Sequence, residues 1–349
     1  IILDEPTSVL TPQEVEILFQ TLRQMAGEGR AILYISHKLE EIRTLCDAAT
    51  ILRRGKVVAR CTPRERSARE LAELMVGSVL APPARPPAEP GPVALRVEGL
   101  SLASPQPFGT SLREVSFTLH RGQVLGIAGV AGNGQDELLL ALSGELRSRP
   151  EAIRIGTDPV GHLGPNARRA RGLVAAPEER LGHAAAPDMT LTENALLSGA
   201  VRRGLLRGGL IDWPATRRFA EEIVARFDVR TPGIHVVARA LSGGNLQKFV
   251  LGREILQEPA VIVVNQPTWG VDAAAAAAIR QALLDLAGRG AAVVAISQDL
   301  DELLEISDVF AALNEGRMSA PRPVAGLTVE EIGLMMGGAH GMEVAHGMH

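Results

Sequence analysis

Three groups of residues have types and spacings that could do chemistry. Leu241 to Gln247 reads LSGGNLQ, in which Ser242, Gly243 and Gly244 open a helix that continues LQKFVLGREIL. Such a helix start offers free backbone N–H groups and the positive end of the helix dipole, and glycine lets an anion come close. The same residues would also serve as an ordinary turn before an amphipathic helix. Upstream, Gly129, Gly132 and Gly134 in GVAGNGQDEL stand at the spacing of the phosphate-cradling pattern G-x-x-x-x-G-K-[ST], but with Gln135 at the lysine and Asp136 at the hydroxyl position. The third group is a pair of adjacent carboxylates, Asp4 and Glu5, ending the apolar run IIL, with His37 ending a second run in YISHKLEE. On their own these fit a capped turn and a structural histidine.

The elements that must position these groups come in two copies. Residues 1–77 align without a gap on 262–338 at a constant offset of 261. Asp4-Glu5-Pro6-Thr7 falls on Asn265-Gln266-Pro267-Thr268, Ile35-Ser36-His37 on Ile296-Ser297-Gln298, and Asp47 on Asp308. A repeat of this length implies tandem domains. The pattern predicts, in residues 1–78, a strand, a helix from Pro12 to Ala26, a strand AILYISH, a helix from Leu39 to Cys46, a hairpin ATILRRGKVVAR and a helix from Ser67 to Met75. The proline-rich stretch within 79–92 reads as an extended linker. Residues 93–338 read as a complete second copy, with more helical, arginine-bearing segments in 164–240, and 339–349 as a frayed tail rather than a metal site built from His340, His346 and His349. Ile1 opens inside a strand without an initiator Met, so the chain is expected to be a fragment, with roughly 165 residues of the first copy ahead of it.

LSGGN, followed by the strand and polar turn VIVVNQPTWGVD, resembles the ATP-binding cassette (ABC) family. The resemblance implies an α/β fold of P-loop NTPase type in tandem cassettes. Each cassette would be a mixed, mostly parallel sheet with flanking helices and a helical subdomain, the first one incomplete. It implies ATP and Mg2+ as cofactors, Asp4 as the Mg2+ ligand, Glu5 as general base, His37 as the switch that contacts the γ-phosphate and water, and Ser8 to Thr11 as the loop crossing to the opposing cassette. In the second copy Asn265 and Gln266 replace the two acids and Gln298 the histidine, and amides neither carry charge nor take a proton. With Gln135 and Asp136 in its loop, that half reads as catalytically retired. Family cassettes face head to tail, each ATP lying between one phosphate loop and the other signature. The resemblance therefore implies one competent composite site, Asp4, Glu5 and His37 with Ser242, Gly243 and Gly244, and one degenerate site around Gly129, Gly132, Gly134 and Gln135.

Pro177-Glu178-Glu179-Arg180, Met189 to Asn194 and LSGGN narrow the resemblance to the ATPases of simple-sugar and nucleoside importers; Leu10 to Glu14 and Gly132 to Gln135 look more like the nucleoside branch. Ala184 to Ala186, and Trp269 where this group often has arginine, depart from the pattern. This resemblance implies two transmembrane permease subunits, an indirectly coupled extracytoplasmic binding lipoprotein, a second copy of the chain in the transporter, and a peripheral place at the cytoplasmic face of the inner membrane. The competing reading is a two-cassette protein acting on ribosomes or DNA without a permease. Composition bears on that choice. A net charge of −4 over 349 residues, with both signs interspersed, gives no basic footprint for nucleic acid. Cys46 and Cys61 lack metal or redox spacing and point to a reducing compartment. No apolar run reaches the roughly 18 residues that a membrane-spanning helix needs.

Overall fold

The computed structural model describes residues 1–4, 6–7, 12–36, 38–53, 55–76 and 90–337. Glu5, Ser8 to Thr11, His37, the linker before residue 90 and the tail, with its three histidines, lie outside the described residues. The chain divides into two units, residues 1–82 with 272–277, and residues 83–271 with 278–349.

The smaller unit runs β1 (Ile2–Asp4), α1 (Pro12–Gly27), β2 (Leu33–Ile35), α2 (Leu39–Leu45), β3 (Ala49–Arg53), β4 (Lys56–Cys61), a 3-10 turn and α3 (Ala68–Val76). Each helix starts and stops within a residue of the bounds its apolar periodicity predicts. β1 and β2 pair in parallel, β3 and β4 antiparallel. Gly55 makes the hairpin turn at φ 74°, a backbone conformation that glycine adopts without strain. Cys46 and Cys61 are free and half-buried, and burial pushes the Cys46 thiol up.

The larger unit continues with β5 (Val93–Leu102), β6 (Leu112–His120), β7 (Val124–Ala128), α4 (Gln135–Ser143), β8 (Ile153–Ile155), β9 (Asp158–Pro159), α5 (Pro165–Ala170), β10 (Leu173–Ala176), α6 (Leu191–Gly199), β11 (Leu206–Arg207), β12 (Leu210–Ile211), α7 (Trp213–Arg226), α8 (Gly243–Ile255) and β13 (Val261–Asn265). It ends with α9 (Ala273–Gly288, from residue 278 on), β14 (Ala292–Ser297), α10 (Leu300–Ile306), β15 (Val309–Asn314), β16 (Arg317–Met318), β17 (Arg322–Pro323) and α11 (Val329–Met336). β10, β13, β14, β7 and β15 form a parallel sheet in that order, extended antiparallel by β16 and β17. A second, antiparallel sheet has the order β6-β5-β8-β9.

The strands VIVVN and AVVAIS are apolar without alternation because helices or sheet cover both faces. Ile262, Val264, Val293 and Ala295 pack on one face with Val250 and Leu251 of α8 and Ile279 and Leu283 of α9. Val261, Val263, Val294 and Ile296 pack on the other with Leu138 and Leu142 of α4 and Val97 and Val115 of the antiparallel sheet. Each of the fully buried Val, Leu and Ile side chains is worth roughly 1.5–3 kcal/mol. A separate core of Leu191, Ala195, Phe219, Ile223 and Phe249 joins α6, α7 and α8.

The offset of 261 holds for the elements as well as the letters. α1 and α2 shifted by 261 become 273–288 and 300–306, the bounds of α9 and α10. The pairs Ile2↔Leu33 and Asp4↔Ile35 become Val263↔Val294 and Asn265↔Ile296, and the hairpin pair Leu52↔Val57 becomes Leu313↔Met318. Strand register is preserved at every one of these pairs.

Candidate functional site

The central strand β7 feeds the glycine loop, and α4 follows it. Gly134 caps α4 at φ 106°, which a side-chain-bearing residue rarely adopts, and a Cβ on Gly129 would stand 2.3 Å from Gln135 Nε2 and 2.8 Å from the Leu313 carbonyl. Space remains at Gly132, where nothing lies within 4 Å of an added Cβ. Gln135 turns back into the loop: it is 8% exposed, its Nε2 donates to the Val130 carbonyl at 2.9 Å, and its Oε1 is buried without a partner. The cradle is thus formed, but the side chain at the cation position carries no charge and is spent on the loop itself. Arg168, fully buried, anchors the far end of α4 by donating to the carbonyls of Ala141 and Leu142, with Gly161 and Leu163 taking further bonds. Burial lowers its guanidinium to about 10.

Carboxylates surround the start of α4. Asp136 Oδ1 accepts from Asn265 Nδ2 at 3.0 Å; burial pushes Asp136 up, Glu137 adds to this, and the Asn265 bond opposes it. Glu178 is likewise raised by burial and then by Asp136. Glu137 is buried and ties down a strap before β6, accepting from Ser104 Oγ at 2.8 Å and the Thr110 amide at 2.9 Å. Thr110 in turn donates to the Gly132 carbonyl at 2.5 Å. On that strap Phe108 is fully exposed, an aromatic face beside the loop.

β13 ends at Asn265 and Gln266 follows it, both buried, with Gln266 at φ 52°, an unusual conformation for a residue other than glycine. The Ser297 hydroxyl stands 3.0 Å from Glu302 Oε2 and 3.3 Å from Gln266 Oε1. Burial raises Glu302 to about 7, partly offset by Thr268 and Ser297, and its Oε1 is buried and unpartnered.

The signature residues sit where the helix start requires them. Ser242 is the N-cap of α8, its hydroxyl accepting from Asn245 Nδ2 at 2.9 Å rather than capping a backbone amide. Ser242 and Gly243 are exposed and Gly244 is half-buried, so the first turn of α8 is open to an anion. The other end of α8 is locked. Glu254, fully buried, accepts from Arg169 Nη1 at 2.5 Å, Ser198 Oγ at 2.6 Å and Arg253 Nε at 2.9 Å. Burial pushes Glu254 up, but Arg169 and Arg253 hold it below the ordinary carboxylate range.

In the smaller unit Asp4 ends β1, exposed and opposite Ile35 of β2. The turn after it is held by Glu41, which accepts from Thr7 Oγ1 at 2.8 Å and the Tyr34 hydroxyl at 2.7 Å, with Lys38 Nζ at 3.6 Å. Glu5 and His37 lie outside the described residues, so their geometry is not part of this picture. Among the described residues no cluster of three or more His, Cys, Asp or Glu could hold a metal by itself. Sequence reasoning missed Phe108, Glu178 as a neighbour of Asp136, and the Glu41 and Glu302 pair. The last was available as matching glutamates 261 positions apart; Phe108 carried only the hint of an aromatic in a chain with 3% of them.

Comparison with known proteins agrees with this geometry. The ABC transporter family model matches residues 112–269. A glucose import ATP-binding protein of Haloferax volcanii is 38% identical over 343 residues, 97% of this chain and 62% of that protein. A nucleoside import ATP-binding protein of Lactococcus lactis is 34% identical over 341 residues, 97% of this chain and 67% of that protein. A guanosine import ATP-binding protein of Bacillus subtilis is 35% identical, over 97% and 66%. The chain therefore spans about two thirds of the length of these curated relatives. Among solved structures, an ATP-binding subunit of an ABC transporter superposes with TM-score 0.56 at 21% identity, covering 70% of this chain and 99% of that one. A nucleotide-free ATP-binding cassette gives 0.54 at 21% identity, over 73% and 100%. With its glycine loop, buried parallel sheet and open signature helix, the chain belongs to the ABC transporter family of ATP-binding proteins.

Proposed function

We propose that this chain is the ATP-hydrolysing subunit that energises import of a small polar solute, a simple sugar or a nucleoside, through a membrane permease. Relatives named for the import of glucose, nucleosides and guanosine support that substrate class. It works at the cytoplasmic face of the membrane as a peripheral subunit; among the described residues no helix is long and apolar enough to cross a bilayer. Its partners are two permease subunits, an extracytoplasmic binding protein acting through them, and a second copy of the chain.

In this reading residues 1–78 and 93–338 are two copies of one cassette, joined by the 79–92 linker. One composite site is competent. Asp4 would hold Mg2+, whose charge would offset that of the nucleotide phosphates. Glu5 takes the proton of the attacking water, and His37 orients that water and the terminal phosphate. Ser242, Gly243 and Gly244 supply backbone donors that complete the site around the phosphate. The second site has the glycine loop around Gly129, Gly132, Gly134 and Gln135 with the amides Asn265 and Gln266 in place of the two acids, and it does not turn over. Phe108, exposed beside that loop, offers a face on which a nucleobase stacks.

The observation that carries the proposal is the preserved strand register at an offset of 261, with Asp4 in one copy and Asn265 in the other. Its test is affinity purification from membranes and lysate. Recovery with a permease, and ATPase activity stimulated by that permease, is the expected result. Recovery with ribosomes or DNA and without a permease would overturn it.

A further inference from the structure

Arg180 joins three segments that lie far apart in the sequence. Its Nε donates to Gln247 Oε1 at 3.0 Å, its Nη2 donates to the Trp269 carbonyl, and its guanidinium carbon stands 5.0 Å from the centre of the Trp269 ring. Gln247, buried in the second turn of α8, passes the connection on: its Nε2 donates to the Pro267 carbonyl at 2.9 Å and reaches that of Gln266 at 3.3 Å. Two glycines make room for the guanidinium. A Cβ at Gly243 would stand 2.7 Å from Nη1, and one at Gly270 3.1 Å from Nη2.

Fold stability alone does not account for this placement. A cation beside the first residue of a helix opposes the positive end of the dipole. Burial also disfavours the charge and lowers the guanidinium from its usual range, with Glu178 opposing. What an arginine supplies is a planar fork that serves a side-chain oxygen and a backbone carbonyl at once while stacking on an aromatic ring, which lysine does not match.

We infer that Arg180 is a positioning residue for ATP hydrolysis: through Gln247 and Trp269 it holds the signature turn, Ser242 to Gly244, at a fixed spacing from the loop Gln266 to Gly270. This rests on the composite site proposed above, in which the signature meets the terminal phosphate. A donor array acts on a phosphate only when it is preorganised, and a displacement of about 1 Å costs on the order of 10²-fold in rate.

The test is steady-state ATPase activity of the permease-bound protein, with thermal midpoint and ADP affinity measured on the same samples. Arg180→Ala is expected to lower kcat by about tenfold or more while KM changes by less than about threefold, because the lost alignment matters in the transition state. ADP affinity and the fraction folded stay near wild type. Arg180→Lys restores little, and Gln247→Met, which keeps the buried volume, lowers kcat in the same direction. Ser242→Arg serves as the control for the site itself. Wild-type kcat in Arg180→Ala, or full rescue by Arg180→Lys, with Ser242→Arg inactive, would overturn the positioning role and leave the composite site standing. An active Ser242→Arg would overturn both.

Discussion

Asp4 and Asn265 occupy the same register of the same parallel strand pair, one facing Ile35 and the other Ile296, yet one is a carboxylate and the other an amide. The turns that follow differ in the same way. In the smaller unit Glu41 is shared by the hydroxyls of Thr7 and Tyr34 with Lys38 nearby. In the larger unit its counterpart Glu302 meets Ser297 and Thr268, the counterpart of Thr7, but Ala295 stands where Tyr34 does. Backbone register thus survives the change in chemistry. Helix bounds and strand pairing depend on many residues at once, whereas proton transfer depends on one or two. A single substitution can therefore remove the second kind of feature while leaving the first intact.

The comparison breaks most visibly at Glu5. In the permease-bound protein Glu5→Gln is expected to reduce turnover by roughly 10²–10⁴-fold, the usual worth of a general base, while ATP still binds and holds a closed state. Near-normal hydrolysis would remove Glu5 from the mechanism.

A smaller effect is expected at Glu302, the buried counterpart of Glu41. The folded-state value of Glu302, raised to about 7, lies above its unfolded value, so the stability it contributes is present in full below about pH 4.5 and is lost as pH rises through 7. The loss amounts to roughly 3 kcal/mol for a shift of this size. Glu302→Gln, which is neutral throughout, should flatten that part of the stability profile and make the protein more stable than wild type at pH 8. Denaturant titrations at pH 5, 6.5 and 8 measure it; parallel wild-type and variant curves would show that Glu302 does not titrate in this window. The smallest effect is expected from Gln266→Glu. One restored carboxylate leaves Gln135, Asp136, Asn265 and Gln298 in place, and groups that act as a unit are not revived singly. Turnover should stay within about twofold of wild type, and a larger gain would mean that the second site is nearly competent.

Much of the fold was legible because it rests on local pattern. The apolar period of α1 and α2, the unbroken apolar strands, the glycine spacing from Gly129 to Gly134 and the repeat at 261 can all be read along the chain. Contacts between distant residues could not be. The separation of 89 positions from Arg180 to Trp269 hides a stacked pair, and nothing in the letters says that Gln135 folds back onto Val130. Trp269, an unexplained departure at the level of sequence, is explained by the guanidinium it receives. The raised Glu302 depends on the depth of its burial, which only packing decides. Glu5 and His37 remain sequence readings, carried by the register of Asp4 and the position of Ser36.

The central claim is that the working site is shared between a copy with its acids intact and a copy that has lost them. Steady-state ATPase activity of the permease-bound Ser242→Arg variant tests it most directly. Arginine at the N-cap of α8 fills the space where the terminal phosphate docks, although Ser242 belongs to the copy with Asn265 and Gln266. The account predicts turnover near background with the protein folded and permease-bound. Wild-type turnover in that variant would contradict it.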